Sequence, residues 1–197
     1  MSTRGAVGIR KNNQDKLMYN HFDSYPSGLG EDMISYIKKY TNLFISDFFD
    51  NLKDLKEDEE EKLISECDDK TQYSLKRISK DFFPYSNNDE ITLNRVVSIL
   101  EGNLNLYAIY PEVNIFLENN DFIKDSLFCE YGYIINLDTN KLEIYIGYQK
   151  KPQKNNRYGV IKTYNNYYPC KLVKQIPLSS IRKENFSLKE KLNKLYT

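Results

Sequence analysis

The 197-residue chain contains no tryptophan, a single histidine (His21) and three cysteines, Cys67, Cys129 and Cys170, none near another. One histidine and no Cys-x-x-Cys pair leave too few soft ligands for a zinc site, and no metal or other cofactor is expected. An odd number of scattered cysteines does not make a disulfide framework and fits free thiols in a reducing compartment. No apolar run of signal-peptide length opens the chain, and no segment approaches the roughly 18 apolar residues of a membrane span. Neither secretion nor a membrane partner is therefore expected, and a cytoplasmic location is. There is no phosphate loop, dinucleotide fingerprint, zinc-protease motif or internal repeat.

Tyrosine and phenylalanine are abundant: 17 and 10 residues in a chain that is 40% hydrophobic. This length can bury one core without staples, so a single domain over 1–197 is expected. Tyrosine has a polar tip, so part of that aromatic area belongs at surfaces. The formal net charge is zero but unevenly spread. Met1 to Glu143 holds 26 acidic and 16 basic residues, whereas Ile144 to Thr197 holds 2 acidic and 12 basic. Such a split either neutralises itself within one fold or offers a surface to an anionic partner.

Taken in order, Ala6 to Arg10 and Leu17 to Phe22 read as strands of a β-hairpin around Lys11-Asn12-Asn13-Gln14-Asp15, because Asn and Asp accept left-handed backbone. Strand alternation would put Tyr19, His21 and Asp23 on one face. Pro26, Gly28 and Gly30 end the second strand. From Asp32 to about Leu52, apolar residues at Met33, Ile37, Tyr40, Phe44 and Phe48 have helical spacing and predict one long amphipathic helix. Lys53 to Lys62 is a charged run, either a solvated helix face or a loop. Residues 71–83 have partial helical spacing. Asp89 caps a second expected helix over Glu90 to Glu101, stopped by Gly102. Leu104 to Leu117 reads as a strand pair or an irregular segment.

The strongest strand signals are Phe128 to Leu137 and Leu142 to Tyr148, around a turn at Asp138 to Lys141. Further strands are expected at Val160 to Tyr164 and Tyr168 to Ile176, with a closing helix capped by Ser187. A hairpin, a helical middle (about 31–102) and a β-rich, basic part (about 128–176) give an α+β class. Its antiparallel sheet would combine the N-terminal hairpin with the later strands and pack on the 32–52 and 90–101 helices.

The block Ser2-Thr3-Arg4, Val7-Gly8-Ile9, Tyr19-Asn20-His21-Phe22-Asp23-Ser24-Tyr25-Pro26 and Leu29-Gly30 resembles a group of small bacteriophage and mobile-element proteins. These begin Met-Ser-Thr-Arg, carry a Tyr-x-His-aromatic-Asp-Gly-Tyr-Pro block, and often have a strand pair like the one from Glu130 to Tyr145. Ser24 stands where the group carries glycine. The resemblance implies no established activity; with the lack of a complete catalytic set, the tyrosine-rich surface and the split charge, it leads to the expectation of an accessory protein in a bacterial host cell that binds host or defence machinery, with Tyr19 and Tyr25 as candidate contact residues.

In outline the same stretch is similar to hydrolases with an N-terminal nucleophile. That similarity implies Ser2 as nucleophile after loss of Met1, its α-amine (ordinary pKa about 7.7–8.0) acting as base on an amide substrate. Arg4, His21 and Asp23 would orient the amine or the substrate. A third candidate is a single-stranded nucleic-acid surface over residues 144–174. There Lys150, Lys151, Lys154 and Arg157 alternate with Tyr148, Tyr158 and Tyr164, pairing cations for phosphates with rings for bases. The acidic run from Glu57 to Glu61 reads as a solvated face.

Overall fold

The computed structural model describes residues 3–55, 69–82, 100–110, 112–163 and 166–192. Seven strands and six helices lie among them: β1 (Gly5–Lys11), β2 (Gln14–Asn20), α1 (Glu31–Lys39), α2 (Asn42–Asn51), β3 (Lys53–Leu55), α3 (Asp69–Phe82), α4 (Leu104–Ile109), β4 (Ile115–Leu117), β5 (Tyr131–Asn136), β6 (Lys141–Ile146), β7 (Lys171–Pro177), α5 (Leu178–Ile181) and α6 (Leu188–Leu192). The expected Glu90–Glu101 helix lies outside the described residues except for its last two, as do most of the charged run and Cys67.

The α+β class holds. β2-β1-β5-β6-β7 form one sheet, and β3-β4 a small second one. The main sheet is antiparallel at every junction but one: β1 runs parallel to β5, in register from Gly5 opposite Tyr131 to Arg10 opposite Asn136. Each of these strands has its own hairpin partner on its outer side, β2 or β6. Only the parallel edge is left for the two hairpins to share, and the long connection that a parallel pair requires is the helical middle of the chain. The hairpin turn is Asn12-Asn13, both residues at positive φ (52° and 62°), as a two-residue type I′ turn demands. The Asp138 carboxylate accepts from both turn amides at 2.7 and 2.9 Å and so ties the first hairpin's tip to the second's.

Alternation along the strands makes two cores. Val7, Ile9, Met18, Tyr133, Ile135, Leu142, Ile144 and Ile176 face the helices, where Met33, Ile37 and Ile45 are buried against them. Ala6, Leu17, Ile134 and Tyr145 face the other way, onto Ile123, Cys129, Tyr158 and Cys170. That second face is covered by loops and the single 3-10 turn Phe122–Lys124, and neither Cys129 nor Cys170 is in a disulfide. Cys129 lies on this side, opposite Tyr133, because β5 begins only at Tyr131.

The single helix expected over 32–52 is two. Tyr40 is extended (φ −112°, ψ 141°), and Thr41 caps α2 by accepting the Phe44 amide at 3.2 Å. The break is held from far away in sequence. Arg182 donates to the carbonyls of Ile37 (3.0 Å) and Tyr40 (2.9 Å) and to the Asn42 side chain (2.7 Å), supplying carbonyl partners that a helix end lacks. Arg182→Ala should therefore cost about 2 kcal/mol, a few net hydrogen bonds with a charged donor, read as a lower urea midpoint at unchanged slope.

Three other segments depart from expectation. Lys53–Leu55 pairs with Ile115–Leu117 as short parallel strands. Leu104–Ile109 is a helix capped by the Asn103 side chain on Leu106. Val160 to Thr163 is loop, not strand: Ile161 is 82% exposed and has no neighbouring strand to pair with. Residues 69–82 do form a helix, and Ser187 does cap α6, accepting from Glu190.

Candidate functional site

The opening block collects at one end of the main sheet. The β2 strand stops at Asn20, so the alternation expected to align Tyr19, His21 and Asp23 breaks after Tyr19. The Tyr19 hydroxyl and His21 Nδ1 lie 2.9 Å apart and their rings meet edge-on. Asp23 instead adopts a left-handed conformation (φ 52°) and turns the chain back, its carbonyl accepting the Leu29 amide at 2.9 Å. Ser24, fully buried, donates its amide to the Thr3 carbonyl (3.1 Å), and its hydroxyl accepts from Asn20 Nδ2 at 2.7 Å. A Cβ on Gly5 would sit 2.7 Å from Ser24 Cβ, so glycine here lets the chain start pass beneath the loop. The wide turn Pro26–Gly30 then delivers the chain into α1 at Glu31.

On the side of the sheet facing the helices, this loop walls a cavity of about 160 Å³. Leu29, Met33, Tyr36 and Leu104 supply its apolar lining, and Asn20, Asn103 and Asn105 its amides. Asp23, Asp32 and Glu101 add three carboxylates, while among the described residues no lysine or arginine contributes to the lining. Burial holds the Asp32 carboxyl above its ordinary range; burial does the same to Glu101, opposed by the nearby His21. The Tyr36 hydroxyl is buried and has no hydrogen-bond partner among the described residues. Gly102 closes the wall: it has a positive φ of 70°, and a Cβ there would fall 2.2 Å from Asn20 Oδ1.

On the other side, Arg4 lies 4.7 Å over the Phe128 ring, and its charge lies near the Tyr19 hydroxyl. The Arg4 amide donates to the Glu130 carboxylate, whose charge lies near the Tyr148 hydroxyl. Tyr148, Glu130, Arg4, Tyr19 and His21 thus form one continuous polar-aromatic arc. Phe22 (63% exposed), Tyr25 (38%) and Tyr148 (54%) present bare ring surface at this end.

Of the hydrolase residues, Arg4 and His21 both lie beside Tyr19, and Asp23 lines the cavity with Glu101. Ser2 lies outside the described residues. Among the described residues no group of three or more His, Cys, Asp or Glu side chains could hold a metal ion, and no helix is long and apolar enough to cross a membrane. Asp32, Glu101, Asn103 and Asn105 were not legible as site residues. Asp32 reads as a first-turn acid of a helix and Glu101 as a helix end, and only the fold brings them together.

The 144–174 surface divides in two. Lys150, Lys151 and Lys154 are exposed. Arg157 and Tyr158 are turned inward, onto the loop-covered face. Arg157 Nη1 pairs with Glu143 at 2.7 Å, its Nε lies 3.4 Å from Asp15, and its Nη2 donates to the Tyr158 hydroxyl at 2.8 Å. Glu143, 2% exposed, also accepts from Asn136 (2.8 Å), Tyr145 (3.0 Å) and Gln175 (3.2 Å). Asp15 in turn pairs with Arg10 at 3.2 Å. These two carboxylates and two guanidiniums anchor the basic loop to the sheet, so Arg157 and Tyr158 are held away from any surface ligand. Tyr164 lies outside the described residues. No protein-family model, curated protein or solved structure matches this chain.

Proposed function

We propose that this chain acts by binding a protein, not by catalysis, and that the contact surface is the end of the sheet built from the opening block. The observation that carries the reading is the juxtaposition there of exposed rings, Phe22 and Tyr25, with a cavity ringed by Asp23, Asp32 and Glu101. Exposed aromatics beside a pocket are the usual anchors of an interface. The carboxylates suit a basic side chain, whose aliphatic stem would lie along Leu29, Met33 and Leu104 while its head meets the acids. The resemblance of the opening block implies the partner class: a host or defence protein met in the bacterial cytoplasm, with the chain as its inhibitor or adaptor.

The test is affinity capture from the bacterial host with the wild-type chain and with the double variant Phe22→Ala/Asp32→Asn. Both positions are exposed, so the variant should fold with an unchanged melting temperature. A stoichiometric partner that is identified, binds the purified wild type and binds the variant at least tenfold more weakly is the expected result, since anchor residues carry about 2 kcal/mol or more each. No stoichiometric partner, or one indifferent to both substitutions, overturns the reading.

A further inference from the structure

The loop cover on the far side of the sheet carries a second inference, independent of the surface just described. Residues 144–183 contain no aspartate or glutamate. Four lysines of the cover, Lys150, Lys151, Lys154 and Lys162, are exposed, and none makes an ion pair with a described carboxylate. Arg157, turned inward, fastens the cover down, so the positive charge is held on a fixed surface.

Aromatic rings are interleaved with these lysines. Lys150 Nζ sits 3.4 Å from the centre of the Tyr167 ring, and Lys162 Nζ 5.6 Å from that of Tyr168. Tyr148 neighbours Tyr167, and it is the least comfortable residue on this side, a bulky side chain at φ 58°. Left-handed backbone costs a non-glycine residue on the order of 1–2 kcal/mol. It is imposed here by a rigid clamp: the Tyr148 amide donates to the Ser126 carbonyl at 2.6 Å, the Gln149 amide to the Ser126 hydroxyl at 3.0 Å, and the Gly147 amide to the Glu130 carbonyl at 2.8 Å. Strain retained against such over-determined surroundings is a mark of a functional position, and what it accomplishes is to hold an exposed ring beside unneutralised lysines.

We infer that this face binds single-stranded nucleic acid, the lysines meeting phosphates and the Tyr148 ring stacking on an unpaired base. Lysine alone would fit any polyanion. The exposed Tyr148 ring beside the lysines favours a ligand with flat faces of its own, because base–aromatic stacking is indifferent to sequence and adds to the phosphate contacts.

The experiment is fluorescence anisotropy of a short end-labelled oligothymidylate titrated with the full chain, from about 50 to 200 mM salt. The controls are the duplex of the same length and a polyglutamate peptide of matched charge. The expected result is salt-dependent binding of the single strand, tighter than that of either control. Lys150→Gln/Lys151→Gln/Lys154→Gln should weaken it and flatten the log–log salt slope by about 2, at roughly 0.7 per lost single-strand phosphate contact. Tyr148→Asn removes the ring but tolerates left-handed backbone, so it should raise the melting temperature while weakening binding about 5- to 100-fold. Tyr148→Phe keeps the ring and should bind like wild type. Absent binding, equal binding of polyglutamate or duplex, or a Tyr148→Asn variant that binds as well as wild type would each overturn the inference.

Discussion

Arg157→Met is expected to lower the unfolding free energy by about 3–5 kcal/mol, the cost of leaving buried carboxylates without their cation. Glu143 is the reason. It sits in the middle of β6 with its side chain 3% exposed, on a sheet face sealed by the cover, and Arg157 is the group that neutralises it. Asn136, Tyr145 and Gln175 would remain as donors, but three neutral hydrogen bonds do not replace an ion pair of 2.7 Å in such surroundings. Asp15 would suffer less, because Arg10 still holds it. Chemical denaturation of wild type, Arg157→Met, Glu143→Gln and the double variant forms the cycle that isolates the pair. The double variant should recover much of the loss, since a buried pair replaced as a unit is near neutral whereas a broken one is not. A single substitution costing under about 1 kcal/mol would mean that the cover is not fastened in this way.

Gly147→Ala should cost about 3 kcal/mol, at the upper end of ordinary overpacking. A methyl at this position would lie 2.0 Å from the Cys129 carbonyl oxygen and 2.8 Å from that of Ser126, both backbone atoms that cannot swing aside. Relief requires moving the 126–130 segment or the end of β6, and the hydrogen bonds that set Tyr148 go with either. Gly159 is the natural control. Nothing lies within 4 Å of a Cβ built there, and its φ of 99° is the whole objection to a side chain. Gly159→Ala should therefore cost only about 1 kcal/mol, conformational in origin. Thermal melts of the two variants compare a steric with a purely conformational glycine. Equal losses would show that the contacts around Gly147 yield more easily than backbone atoms should.

What was readable in the chain was what is local. The Asn12-Asn13 turn and its flanking strands, the entry to α1 at Glu31 and the 131–146 hairpin all follow from residues within a few positions of each other. What escaped was decided by partners distant in sequence. The local sign of the break at Tyr40 is slight, the N-cap Thr41 alone, because Arg182, which holds it, is 142 residues away. The stretch Lys150 to Tyr158 has a uniformly polar, surface-like composition, yet Arg157 is drawn inward by a glutamate on another element. A signal for that did exist: Glu143 is a lone carboxylate within Leu142 to Ile146, a strand apolar on both faces, and such a group requires a cation. The acid-lined cavity had no signal of this kind. Asp23, Asp32 and Glu101 each have an adequate local explanation, and their meeting is a property of the tertiary fold.

The parallel seam between β1 and β5 has a consequence for how the molecule assembles. Each hairpin can close on its own over a turn of a few residues, an event on the order of microseconds. Joining them means closing a loop of more than a hundred residues, with Val7 opposite Tyr133, before the apolar contacts across the seam offset the lost chain entropy. The rate-limiting encounter in folding is thus between the first hairpin and the second. Until it happens, the inner edges of β1 and β5 remain open to pairing with another chain.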